Sequence, residues 1–221
     1  MNTTQNIIAL KESLPSHVTL VAVSKFQPVE VIREAYDAGQ RVFGENRVQE
    51  LTAKYPQLPS DIQWHFIGTL QTNKVKYIVP FVDTIQSIDS LNVLQEVEKQ
   101  AAKCHRRIRV FLEVHIAEET TKHGFTPEEC QRLFQENLLD DYPHAIVAGL
   151  MGMATFTDDT GQIQREFQTL KTLFETIKRS GKAGDSLTEL SMGMSDDYRL
   201  AIQNGSTMIR VGTLIFGSRR K

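Results

Sequence analysis

Short apolar, β-rich runs alternate with helical patterns eight times along the 221 residues, and this alternation constrains the fold more than any other feature. The expected strands are 18–24, 41–44, 62–67, 81–87, 108–116, 145–150, 187–190 and 207–211. Each is short and rich in Val, Ile and Leu, as strands buried on both faces are. The segments between them carry apolar residues at helical spacing. Residues 90–103 place Leu91, Leu94, Val97 and Ala101 on one stripe, and 161–179 place Ile163, Phe167, Leu170, Leu173, Phe174 and Ile177 on another. Punctuation agrees with this reading. Pro28 opens a helix that Gly39 stops, Thr126-Pro127 pairs a cap with a first-turn proline, and Asn204-Gly205 ends a helix after Gln203.

A parallel strand needs a crossover helix to return, and eight such units close into a (β/α)₈ barrel. At about 27 residues per unit, one barrel uses the whole chain, so residues 1–221 read as a single domain with a short amphipathic helix at the N-terminus. An open doubly wound sheet is the alternative, but no GxGxxG follows the first strand.

A formal net charge of −2 points away from nucleic acid and anionic membranes. No apolar run approaches the ~20 residues of a membrane span. The opening residues lack the basic leader and apolar core of a signal peptide. Cys104 and Cys130 form no CxxC pair, so neither a disulfide framework nor a metal site is expected, and a reducing cytoplasm fits.

Barrels of this kind carry their chemistry where strands end and loops toward the helices begin. The residues expected there are Lys25, Glu45 with Asn46, His65, Asp89, His115, Met151, Ser191 and Arg210. Lys25 follows "TLVAVS" directly. It is either a lysine snorkelling from the barrel mouth or a Schiff-base nucleophile whose pKa the apolar wall lowers. The stretch "SMGMS" (191–195) and "VGT" (211–213) supply two small-residue turns after strands seven and eight, where barrels often bind phosphate. Ser195 reads equally as a helix cap. Asp196 and Asp197 would repel a phosphate unless they point away. Arg210 interrupts an apolar strand and needs an acceptor, either a barrel acid such as Glu45 or a bound ligand. An amine, an anion cradle and a guanidinium across one mouth together match pyridoxal phosphate.

Seven stretches carry a resemblance: "AVSK" (22–25), "FGENRVQE" (43–50), "WHFIGTLQTNK" (64–74), "SID" (87–89), "EETTKHGF" (118–125), "GLMGMA" (149–154) and "LSMGMSDDYRLAIQNGSTMIRVGTLIFG" (190–217). In these the chain resembles the pyridoxal phosphate homeostasis protein family, single-barrel relatives of the alanine racemase N-terminal domain. The resemblance implies pyridoxal 5'-phosphate held as an internal aldimine at Lys25. It implies phosphate at Ser195 and the Gly212-Thr213 turn, Arg210 facing the pyridine nitrogen, and Asn46, His65 and Met192 near the cofactor. Thr69 and His115 depart from the family's usual proline and asparagine.

Three functions follow. The first is a carrier that stores, buffers or delivers the cofactor in vitamin B6 and amino-acid balance, passing it to apoenzymes and acting as a cytoplasmic monomer without an established reaction. The second is a racemase-type enzyme. It lacks the opposing tyrosine that alanine racemases take from a second domain of the partner subunit. Tyr36, Tyr55, Tyr77, Tyr142 and Tyr198 all fall on expected helices or connections, though His65 or His115 could substitute. The third is a lysine aldolase acting on a phosphorylated sugar. Arg210 favours the carrier, because an arginine keeps its proton and leaves the ring a weak electron sink.

Overall fold

The computed structural model describes residues 2–118, 123–181 and 186–217. The strands are β1 (Thr19–Val23), β2 (Val42–Glu45), β3 (Gln63–Phe66), β4 (Thr84–Ile88), β5 (Ile108–Glu113), β6 (Ala145–Met151), β7 (Glu189–Ser191) and β8 (Met208–Val211). All pair in parallel and in sequence order, and β8 returns to β1 to close the barrel. The helices are α1 (Thr3–Ser13), α2 (Val29–Asp37), α3 (Val48–Lys54), α4 (Thr72–Ile78), α5 (Leu91–Lys103), α6 (Pro127–Gln135), α7 (Thr160–Arg179), α8 (Tyr198–Gln203) and α9 (Thr213–Phe216). The N-terminal helix, the eight units and the barrel are as the sequence implies. The short helix α9 is additional, as α1 packs against it and the Asn6 side chain donates to the Ile215 carbonyl at 3.0 Å.

Strand residues divide by alternation. Leu20, Ala22, Val110, Leu112, Val147, Ile209 and Val211 face outward into the main core beneath the helices. Val21, Phe111, Ala148 and Met208 face inward and, with Met151, form a separate apolar plug inside the barrel. This two-core arrangement explains why the strands read as continuous apolar runs. Register shifts insert an extra residue in β4, between Ile85 and Ile88, and in β6, between Val147 and Gly149.

Some boundaries differ from expectation. β5 stops at Glu113, not Ile116, because the chain turns away to make one lone bridge from Val114 to Phe125. β4 starts at Thr84, not Phe81. Asp159 caps α7 by accepting from the Gln162 N–H, so the helix begins at Thr160, one residue before the expected 161. Thr126 and Glu129 form a full capping box at α6.

Candidate functional site

The site is assembled across the junction of β7, β8 and β1. β1 and β8 run in register, Val21 beside Arg210 and Ala22 beside Val211. The turns that follow them therefore open at the same end of the barrel. A side chain at Gly212 would place its Cβ 3.2 Å from the Val23 carbonyl, which shows how closely the two turns approach.

Lys25 lies two residues beyond β1, in a turn closed by the Gln27 N–H donating to the Ser24 carbonyl at 3.0 Å. Its side chain is half-buried. The preceding Ser24 is fully buried and extends the barrel ladder through its N–H to the Gly44 carbonyl, 2.9 Å away.

Arg210 is buried inside the barrel at 4% exposure. Its Nη1 donates to Ser191 Oγ at 2.7 Å and its Nη2 to the Gly152 carbonyl at 3.0 Å. Burial lowers its pKa to about 10, while Glu113 and Asp197 oppose the shift, so it remains a cation at neutral pH. Glu45, the barrel acid named as one alternative acceptor, is not bonded to Arg210. Glu45 instead receives Lys54, which ends α3 and reaches it at 2.7 Å. The sequence could not separate these two buried acid–base pairings, because both cations are within a side chain's reach of a strand end.

From Arg210 a chain of hydrogen bonds runs across the interior. An arginine can only donate, so Ser191 accepts from it and passes its own proton to Gln86 Oε1 at 2.7 Å. The Gln86 amide nitrogen then faces His65 Nδ1 at 2.7 Å and Met208 Sδ at 3.2 Å. His65 Nδ1 must accept, which leaves its proton on Nε2. Burial, with a smaller push from Arg109, lowers the His65 pKa to about 3, so the ring is neutral. His65 thus sits within β3, facing the barrel interior, and does not project from the mouth.

The loops after β7 and β8 hold the remaining residues. Gly193 adopts φ 96°, which a side chain would strain. Its carbonyl accepts from the Arg210 N–H at 3.0 Å. Ser195 is not the cap of α8. That helix begins at Tyr198, because Asp197 folds back to accept the Met194 N–H at 2.5 Å and fixes the turn before it. The Ser195 hydroxyl faces the other loop and accepts from the Gly212 N–H at 3.4 Å. Thr213 opens α9, in which the Ile215 and Phe216 N–H groups donate to the Gly212 carbonyl at 3.0 and 2.9 Å. Asp196 is exposed while Asp197 is half-buried, and burial raises the Asp197 pKa against the pull of its Met194 bond and Arg210. Met192, expected near the cofactor, follows β7, and its side chain is fully buried in the outer core beneath the helices.

Asn46 follows β2, and its Oδ1 is buried without a hydrogen-bond partner. Gly68 packs directly on the Asn46 backbone, leaving no room for a side chain. Asp89 and His115 lie just past β4 and β5. Beside them Glu113, unremarked in the sequence, is 7% exposed, and burial together with Asp89 raises its pKa. Its position at the end of an apolar strand was the available signal. Residues 119–122 of the Glu118–Phe125 motif lie outside the described residues. A cavity of about 540 Å³ opens between the loops after β6 and β7, lined by Thr155, Phe156, Asp158, Met194 and Asp196 among others.

The family model described as "Alanine racemase, N-terminal domain" matches residues 2–220. The pyridoxal phosphate homeostasis protein of Aquifex aeolicus is 42% identical over 202 residues, 91% of this chain and 87% of that protein. The protein of the same name from Schizosaccharomyces pombe is 40% identical over 206 residues, 92% of this chain and 85% of that one. The structure of PipY from Synechococcus elongatus without PLP superposes with a TM-score of 0.91 at 37% identity, covering 98% of this chain and all (100%) of PipY. The same protein with PLP bound gives 0.88 at 36% identity over the same shares. Alanine racemase from E. faecalis, 15% identical with a TM-score of 0.76, shares the fold over 98% of this chain but only 58% of its own. The chain belongs to the alanine racemase N-terminal domain family and, within it, to the pyridoxal phosphate homeostasis proteins.

Proposed function

We propose that this protein binds pyridoxal 5'-phosphate, covalently through Lys25, and serves as a carrier that stores, buffers or delivers it. The observation that carries the reading is Arg210, a buried cation held by Ser191 and Gly152 on β8, the strand paired with β1, which leads to Lys25. The relative PipY, solved with PLP bound, supports it.

The residues present suit the group. Among the described residues Arg210 donates through Nη1 to Ser191 and through Nη2 to Gly152, leaving further N–H donors for a pyridine nitrogen. Ser195, Gly212 and Thr213 offer a hydroxyl and backbone N–H groups to a phosphate. Asn46 brings a buried oxygen that lacks a donor. When bound, the cofactor would supply an aldehyde able to join the Lys25 amine with loss of water, and a ring able to act as an electron sink.

The surroundings favour holding over catalysis. Arg210 remains charged and donates a hydrogen bond without giving up its proton, so it does not strengthen the sink as a carboxylic acid would. His65 is neutral and its Nδ1 is already taken by Gln86, which suits a support better than a second base. The reading extends to residues 1–221 acting as one domain, as a cytoplasmic monomer that passes the cofactor to apoenzymes. Among the described residues no helix is long and apolar enough to cross a membrane.

Borohydride reduction of the loaded protein should leave an adduct that maps to Lys25 and is absent from Lys25→Ala. An adduct that survives the substitution refutes the assignment. Loss of α-deuterium from amino acids separates carrier from racemase. No exchange above the free-cofactor rate, with transfer to an apoenzyme, supports the carrier.

A further inference from the structure

The turn that carries Lys25 is unusual in its sequence. Ser24 and Gln27 close it, and Lys25 and Phe26 are its central residues. Phe26 has φ 64°, whereas Lys25 is not among the positive-φ residues. This is the type II pattern, whose third position belongs to glycine and sometimes asparagine. A bulky aromatic there persists only if its surroundings impose it.

The surroundings do so from both sides of Lys25. On one side, the Ser24 hydroxyl donates to Glu45 Oε1 at 2.6 Å, and Lys54 Nζ donates to the Ser24 carbonyl at 2.9 Å. On the other, the Phe26 N–H donates to Glu50 Oε2 at 2.8 Å, and the Arg47 guanidinium lies 4.9 Å above the Phe26 ring. Lys54 ties the two sides together, bonding Glu45 at 2.7 Å and Glu50 at 3.2 Å. Glu45 is fully buried, and its Oε2 has no partner. A buried pair of this kind gains little net stability, because desolvation offsets its attraction. Its evident use is geometric.

We propose that Glu45, Lys54 and Glu50 are positioning residues that impose the strained turn at Phe26 and so fix the direction in which the Lys25 stem leaves the barrel wall. This rests on the reading of Lys25 as the covalent residue. Without the clamp the turn relaxes, the amine spends less time aligned, and bond formation slows while the fold survives.

The test uses the full chain and pyridoxal phosphate, following formation of the covalent link by absorbance. Glu50→Ala removes a half-exposed acceptor and should leave the fold intact by circular dichroism. It should slow link formation at least about tenfold. Lys54→Met should do the same and Lys54→Arg should retain most of the rate. Adding Phe26→Gly to Glu50→Ala should restore the rate, because glycine adopts the turn unaided. A purely structural role would not respond to that rescue. Should Lys54→Met fail to fold, Glu50→Ala and its rescue still decide. Wild-type rates in a folded Glu50→Ala, or slow rates that Phe26→Gly does not restore, would overturn the clamp while Lys25→Ala still abolishes the link. A link that persists in Lys25→Ala overturns the reading of Lys25 itself.

Discussion

Replacing His65 by glutamine should flatten the acid limb of the protein's stability curve. Burial lowers the folded pKa of His65 from 6.5 to about 3. Between those values the unfolded chain holds a proton that the folded chain refuses. Stability is therefore intact above the unfolded value and falls as pH falls through the window. Each pH unit inside it is worth about 1.4 kcal/mol. Moving from pH 6.5 to about 4.5 should thus cost roughly 2 kcal/mol through this one ring. Glu45, Glu113 and Asp197 are shifted upward and act in the opposite sense, so the wild-type curve alone is a mixture. The difference between wild type and His65→Gln removes them. The glutamine oxygen can accept from Gln86 as Nδ1 does, which keeps the interior chain of bonds. Urea unfolding of both ligand-free proteins at neutral pH and at about 4.5 gives the two free-energy losses. Wild type should lose roughly 2 kcal/mol more than the variant, or about 4–8 °C in melting temperature. Equal losses would show that His65 is not the buried, neutral acceptor described above.

Arg210→Gln should weaken pyridoxal phosphate binding by about tenfold or more and shift the absorbance of the bound form, since a charged donor is lost; equilibrium titration and spectra measure both. Glu166 is buried on α7 and accepts from the Thr155 N–H at 2.7 Å, the Thr155 hydroxyl at 2.7 Å and the Glu118 N–H at 3.1 Å. Glu166→Ala should cost about 2–3 kcal/mol and speed amide exchange at Thr155 and Glu118, which it holds together across two loops. Gly193→Ala should destabilise by at least about 1 kcal/mol in thermal melts, because φ is 96° and the new Cβ would lie 2.6 Å from that of Ala201.

The architecture was legible because it rests on local signals. Apolar runs of strand length, helical stripes such as Ile163 to Ile177, and stops such as Asn204-Gly205 each depend on neighbours in sequence. Lys25, Arg210, Ser195 and Gly212 were also legible, as polar or small residues where apolar runs end. What stayed hidden depends on direction. Gln86 lies where β4 carries an extra residue, so its inward direction could not be counted from the strand end, and Glu113 did not stand out because the strand was expected to run on to Ile116. Met192 follows β7 and turns outward. Glu45 was considered only as a possible acceptor for Arg210, and the placement of α3, which brings Lys54 to it, was not readable from the strand pattern. The Ser195 cap failed because the Asp197 and Tyr198 N–H groups it would accept from donate to the Met194 carbonyl instead.

The register of β1 with β8 has a consequence for how the protein is made. Lys25 leaves the ribosome well before Arg210 and Gly212. The two sides of the candidate site meet only when β8 docks against β1. A chain halted between them holds Lys25 but not Arg210 or the second loop. Ligand affinity therefore reports on completed barrels, and bound ligand adds its binding free energy to the seam where a closed sheet is otherwise free to open.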